Sequence, residues 1–151
     1  MKTLFLGLGN DILGNDGVGI KVMRELKRRR PEIEVKEICA AGFRVVDELL
    51  GYKKIVLIDA IKTAQGKPGT VYFFTAEDFS RNTLHLSSSH DVDLFSALKI
   101  MEDHGEEVPH EIVIYAIEVE ETYTFSQECT MRVSEAIPAV VDRLIREQLT
   151  S

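Results

Sequence analysis

Apolar residues along this chain form short continuous runs, separated by segments in which apolar positions recur every three or four residues. The runs at 3–8 and 55–58 are uninterrupted, which is typical of central parallel strands that are buried on both faces. Further runs rich in β-branched or aromatic residues predict strands at 33–38, 70–74 and 112–119. We expect the first two strands to be neighbours in the core.

The segments between these strands have the period of amphipathic helices, with charged residues opposite the apolar ones. Four helices are predicted, at 18–29, 43–50, 92–101 and 129–149. Gly51 follows the second helix, and glycine is favoured just beyond a helix C-terminus. Pro138 lies inside the last helix and predicts a kink or a break there.

The alternation of strands and helices predicts an α/β fold with three layers, in which an open, twisted, mostly parallel sheet of about five strands carries helices on both faces. No repeat or linker interrupts the pattern, so residues 1–151 are expected to form a single domain. In such sheets the functional crevice lies beyond the carboxyl ends of the strands. Residues that follow the predicted strands are therefore the first candidates for chemistry.

The charge and cysteine content narrow the possible partners and the compartment. Asp and Glu number 25 against 18 Lys and Arg, and the net charge of -7 repels nucleic acid and anionic lipid surfaces. We expect no nucleic-acid partner, no membrane insertion and a cytoplasmic location. Cys39 and Cys129 lack CxxC spacing, so two reduced thiols are expected rather than a disulfide or a zinc site.

Three polar residues are expected at one edge of the sheet. Asp16 lies on the glycine-rich loop 7–19, Asp59 ends the apolar run 55–58, and His90 stands just before the third helix. Two carboxylates and an imidazole suit a divalent transition metal and leave coordination positions open. The two carboxylates could instead share a proton and activate water. The residues alone leave both roles open.

Each candidate also has a structural alternative. Asp16 could serve only as the N-cap of the first helix, and His90 as a capping or surface histidine. Asp59 is harder to explain in this way, because a carboxylate buried at a strand end is costly unless a partner or a function compensates. The glycine-rich loop also suggests a nucleotide site, but Ile12 stands where GxGxxG needs its third glycine, so no nucleotide is expected.

Three segments, taken together, resemble the hydrogenase maturation proteases. The segment FLGLGNDILGNDGVG resembles the N-terminal signature of that family, with Asp16 at its acidic position. The segment IVLIDAI resembles the second signature, with Asp59 as its aspartate, and SSSHDVDLFSAL resembles the histidine segment, with His90 as its histidine. Three ordered motifs are more specific than any one of them, and the resemblance extends over nearly the whole chain.

The resemblance implies a five-stranded sheet flanked by helices and an endopeptidase that removes the C-terminal extension of a nickel-iron hydrogenase large-subunit precursor after nickel insertion. It implies that Asp16, Asp59 and His90 recognise the bound nickel, which the precursor itself supplies. Asp16 and Asp59 are then the catalytic candidates, in an aspartic-type or a metal-assisted mechanism. The alternative is a non-catalytic maturation chaperone that binds the nickel site of the precursor.

Two positions depart from the pattern of the family. Some members carry Glu where this chain has Asp16, which is one methylene shorter, so coordination is retained but the reach changes. Many members have Asp-Gly-Gly-Thr after the second strand, whereas residues 39–43 here read CAAGF. Only Gly42 persists, and this chain therefore lacks the aspartate of that motif.

Overall fold

The structure is a computed structural model that describes residues 2–9, 17–38, 43–63, 66–75, 94–120 and 130–149. Within these residues the strands are β1 (Thr3–Leu8), β2 (Val35–Ile38), β3 (Lys54–Ile61), β4 (Val71–Thr75) and β5 (Glu111–Glu118). The helices are α1 (Val18–Arg29), α2 (Phe43–Leu49), α3 (Leu94–Asp103) and α4 (Met131–Leu144), which continues into a π-helical turn at Ile145–Leu149. The predicted strands and helices are confirmed, with small shifts at their ends.

The strands form one sheet in the order β2-β1-β3-β5-β4. All neighbouring pairs are parallel except the edge strand β4, which is antiparallel to β5. The predicted mostly parallel sheet is confirmed, and β1 and β3 are neighbours as expected, with Thr3 opposite Lys54 and Gly7 opposite Ile58. The chain moves outward from β1 to β2 and then crosses to β3. The gap between the carboxyl ends of β1 and β3 is therefore a topological switch point, where ligands of such sheets bind.

Two separate hydrophobic cores lie on the two faces of the sheet. One face is covered by α1 and α4, through side chains that include Val22, Met23, Val133 and Val141. The other face is covered by α2 and α3, through Val46, Leu49, Ala97 and Leu98. Side chains alternate between the two faces along each strand, so Leu57 packs in the α2 and α3 core whereas Val56 packs in the α1 and α4 core.

Two details of the helices bear on the predictions. Gly51 lies just beyond α2 with φ +89, the left-handed conformation expected of a glycine after a helix end. Helix α4 continues through Pro138, so a break at that position is excluded. Buried side chains on both sides of the proline, Val133 and Val140, hold the helix against the sheet. Among the helices in the described part of the chain, none is long and apolar enough to cross a membrane.

Candidate functional site

Asp59 lies inside β3, not at the end of the strand as the apolar run had suggested. The strand continues to Ile61 because its pairing with β5 persists as far as Ile61 opposite Glu118. On the other side β1 already ends at Leu8. The Asp59 side chain is fully buried, with 0% of its surface exposed, so the expected burial is confirmed.

The residues next to Asp59 along β3 and directly opposite it on β5 are apolar. Strand alternation places Asp59 on the same face as Leu57 and Ile61, which is the face covered by α2 and α3. The residue opposite on β5 is Ala116, which belongs to the same core. A carboxylate in such a position costs several kcal/mol unless it is compensated. The apolar neighbours Leu57, Ile61 and Ala116 therefore do not by themselves explain a carboxylate at this position.

One compensating interaction is local. The Oδ1 atom of Asp59 accepts a hydrogen bond from the backbone N–H of Ala60, at 2.7 Å. Since Ile61 bonds towards β5 through its carbonyl, which accepts from Val119 N, Ala60 in the same parallel strand faces the side of β1. The pairing of β1 with β3 extends to Gly7 opposite Ile58. The Asp59 carboxylate thus accepts a hydrogen bond next to the point where β1 stops pairing with β3. This bond orients the carboxylate at the switch point.

Asp16 lies outside the described residues, but the residue that follows it does not. Gly17 is the N-cap of α1, and the suggested capping role of Asp16 falls on a residue outside the described ranges. A Cβ built on Gly19 would lie 2.5 Å from the carbonyl oxygen of Ile58 and 2.6 Å from that of Leu8. Only a glycine permits this approach, so the first turn of α1 lies directly on the carboxyl end of β1 and on Ile58 within β3.

His90 also lies outside the described residues, and the described chain resumes at Leu94, where α3 begins. Beyond the C-terminus of α3, Glu107 O accepts from Gly51 N and His110 N donates to Lys53 O. Lys53 immediately precedes β3, so this end of α3 is at the amino edge of the sheet. The helix spans about 15 Å, and its N-terminus at Leu94 therefore lies towards the carboxyl edge, on the face of Asp59.

Sequence reasoning missed a second buried carboxylate. Glu118 is the last residue of β5, is 2% exposed and lies on the same face as Asp59. It accepts hydrogen bonds from Thr63 N at 2.8 Å, from Thr63 Oγ1 at 2.6 Å and from Tyr72 OH at 3.1 Å. The signal that could have revealed it is the one that selected Asp59, namely an acidic residue inside an apolar strand run.

Of the three predicted ligands, only Asp59 lies in the described ranges. Among the residues that the structure does describe, no three His, Cys, Asp or Glu side chains form a group able to hold a metal ion. Cys39 and Cys129 also lie outside these ranges. The convergence of Asp16, Asp59 and His90 on one metal thus stays a prediction.

Comparisons with known proteins identify the family that the chain resembles. The HycI family model, described as hydrogenase maturation protease, matches residues 20–147. The chain is 28% identical over 135 residues to Protein FrxA of Pyrococcus furiosus, covering 88% of this chain and 95% of that protein. It is 25% identical over 109 residues to the hydrogenase 2 maturation protease of Escherichia coli, covering 70% of this chain and 66% of that protein. The solved structure of the [NiFe] hydrogenase maturation protease HybD from Thermococcus kodakarensis superposes with a TM-score of 0.75 at 29% identity, over 100% of both chains.

Proposed function

The chain belongs to the hydrogenase maturation protease family, and we propose that it removes the C-terminal extension of a nickel-iron hydrogenase large-subunit precursor. In this proposal the enzyme is a cytoplasmic endopeptidase that acts after nickel has been inserted into the precursor. Asp16, Asp59 and His90 recognise the nickel, which belongs to the substrate. The observation that carries the proposal is the fully buried carboxylate of Asp59 at the switch point between β1 and β3.

Chain connectivity supports the other two ligands. Gly17 follows Asp16 directly, and Gly19 contacts Leu8 at the end of β1 and Ile58, the residue before Asp59. The N-terminus of α3, which follows His90 closely in sequence, lies towards the same edge of the sheet. The described residues that follow Asp16 and His90 in sequence thus support a ligand sphere shared with Asp59.

The chemistry proposed for Asp59 depends on its environment. In a site of low dielectric, a carboxylate interacts more strongly with a cation or with a developing positive charge than it would in water. The bond from Ala60 N fixes the orientation of one carboxylate oxygen. In peptide hydrolysis a water oxygen attacks the scissile carbonyl carbon while a base takes its proton, and the leaving amine gains a proton. Asp59 can serve as that base or as a nickel ligand that orients the substrate.

The test is a trimming assay with two preparations of the same precursor, one loaded with nickel and one free of it. Mass spectrometry follows the loss of the C-terminal extension. We expect trimming of the loaded precursor alone, near-complete loss of trimming in His90→Ala and a milder defect in Asp16→Glu, which keeps the carboxylate. A stable complex without trimming would favour the non-catalytic chaperone instead. Equal trimming of both preparations would reject nickel recognition.

A further inference from the structure

We infer that Glu118 is a positioning residue that holds the segment between β3 and β4, described at residues 62–63 and 66–70, in the shape that binds the precursor. The inference rests on the proposed function and extends it to a residue outside the three predicted ligands. The segment leaves β3 directly after Asp59 and Ile61 and runs along the carboxyl edge of the sheet. It therefore passes the carboxyl end of β5 and borders Asp59 from the side of β3 that faces away from β1.

All four polar groups of Glu118 bind this segment or the strand that follows it. Its carboxylate accepts from the N–H of Thr63 through Oε2 at 2.8 Å, and from the Thr63 hydroxyl through Oε1 at 2.6 Å. The Oε1 atom also accepts from Tyr72 OH at 3.1 Å. In the backbone, Glu118 N donates to Thr70 O and Glu118 O accepts from Gly69 N, both at 2.8 Å. One residue thus fixes both ends of the segment.

Gly66 shows how closely the segment lies on the carboxylate. A Cβ built at Gly66 would overlap the Glu118 carboxyl group and the Thr63 hydroxyl, so no larger residue fits without displacing them. The Thr63 hydroxyl and the Glu118 carboxylate therefore lie under the backbone of the segment. The shape of the segment depends on what occupies position 118.

Glu118 stands close to Asp59 on the sheet. The register places Ile61 opposite Glu118 and Asp59 opposite Ala116, so the two carboxylates are diagonal neighbours on one face. The spacing between strands and the rise of two residues along a strand put the Cα atoms of such neighbours roughly 8 Å apart. The preceding residues of β5 on this face, Ile114 and Ala116, are apolar, and an apolar side chain at 118 would avoid the cost of burying a carboxylate. What the carboxylate provides is strong, directional hydrogen bonding to the segment.

The experiment measures kcat and KM for trimming of nickel-loaded precursor by Glu118→Met and Glu118→Gln. We expect Glu118→Met to raise KM about tenfold, the effect of losing a charge-assisted hydrogen bond, with a much smaller change in kcat. In Glu118→Gln the amide oxygen still accepts from Thr63 N, and the amide NH2 can donate to the Thr63 hydroxyl. This variant should restore KM nearly to the wild-type value, whereas a proton-transfer role would be lost in it.

Tyr115→Phe is the matched control. Tyr115 is buried on the same strand but belongs to the opposite core, and its hydroxyl bonds Glu147 and Gln148 at 2.8 and 2.9 Å. Its loss should lower stability while leaving KM unchanged. An equal rise of KM in Tyr115→Phe and Glu118→Met would show that destabilisation alone is the cause and would overturn the inference.

A second variant keeps the test decisive if Glu118→Met does not fold. Thr63→Val removes only the hydroxyl that donates to Glu118 and keeps the backbone N–H, so it should raise KM in the same direction by a smaller factor. Unchanged KM in Thr63→Val, and in Glu118→Met where that variant folds, with an active wild type, rejects the positioning role. A wild-type protein that does not trim loaded precursor rejects the proposed function itself.

Discussion

Gly19 lies so close to Ile58 that a Cβ on Gly19 would stand 2.5 Å from the Ile58 carbonyl oxygen. Gly7 of β1 repeats this relationship from the strand side, because its own Cβ would stand 2.5 Å from Gly19 O. The two glycines let the backbone of α1 touch β1 and β3 immediately before Asp59. The loop that contains Asp16 is thereby joined to the helix at the edge where Asp59 is buried.

Gly19→Ala should reduce both stability and trimming. The added methyl group must push α1 away from β1 and β3, and overpacking of this kind typically costs about 1–3 kcal/mol. Gly105→Ala is the control: it has φ +86, a Cβ added there would meet no atom within 4 Å, and it follows α3 near the amino edge. The left-handed backbone at Gly105 makes that substitution cost about 1–2 kcal/mol. Chemical denaturation should therefore show a similar loss of folding stability in both variants. Trimming by folded protein should fall only in Gly19→Ala.

Asp59→Asn should nearly abolish trimming while the fold persists. Asparagine retains a carbonyl oxygen that can accept the N–H of Ala60, but it carries no charge and accepts no proton. Asp103→Asn makes the same chemical change on a side chain that is 61% exposed at the C-terminal end of α3, and it should leave trimming intact. Thermal melting checks the fold. A non-cooperative melt for Asp59→Asn would assign Asp59 a structural role instead.

The isolated chain should bind nickel only weakly. Two carboxylates and one imidazole without a thiolate form an incomplete site, and the remaining coordination is expected from the precursor. A protease already saturated with nickel could not report whether the precursor is loaded, since only differential affinity carries that information. Calorimetry of the chain with nickel alone decides the point. Binding of one nickel with nanomolar affinity, about -12 kcal/mol, would contradict the sensing mechanism.

Stability should fall at alkaline pH through Tyr115. Burial raises the pKa of Tyr115 to about 12 from its ordinary value of 10.0. The unfolded chain therefore releases this proton at lower pH than the folded protein, so the stabilisation is complete below pH 10 and is lost as pH rises towards 12. Urea denaturation at several alkaline pH values should show a shallower decline in Tyr115→Phe than in the wild type. Identical pH profiles would mean that Tyr115 titrates normally.

The secondary structure and the class of fold could be predicted from the sequence because both depend on local periodicity. Uninterrupted apolar runs such as Thr3–Leu8 mark strands buried on both faces, and the spacing of Val18, Val22 and Leu26 marks a helix with one buried side. The same local reasoning singled out Asp59, since a carboxylate next to a buried run is conspicuous. The family resemblance was likewise contained in short ordered motifs.

The tertiary structure alone decided how these residues meet. The length of β3 depends on its continued pairing with β5, which no local pattern shows, and this pairing places Asp59 inside the strand instead of at its end. The hydrogen bond from the Thr63 hydroxyl to the Glu118 carboxylate joins residues that are far apart in sequence. They become neighbours only through strand register. The sequence by itself therefore determined which segments are strands and helices and which carboxylate is a candidate for function. Register and strand order, which arise from contacts between distant segments, determined where that carboxylate points and what surrounds it.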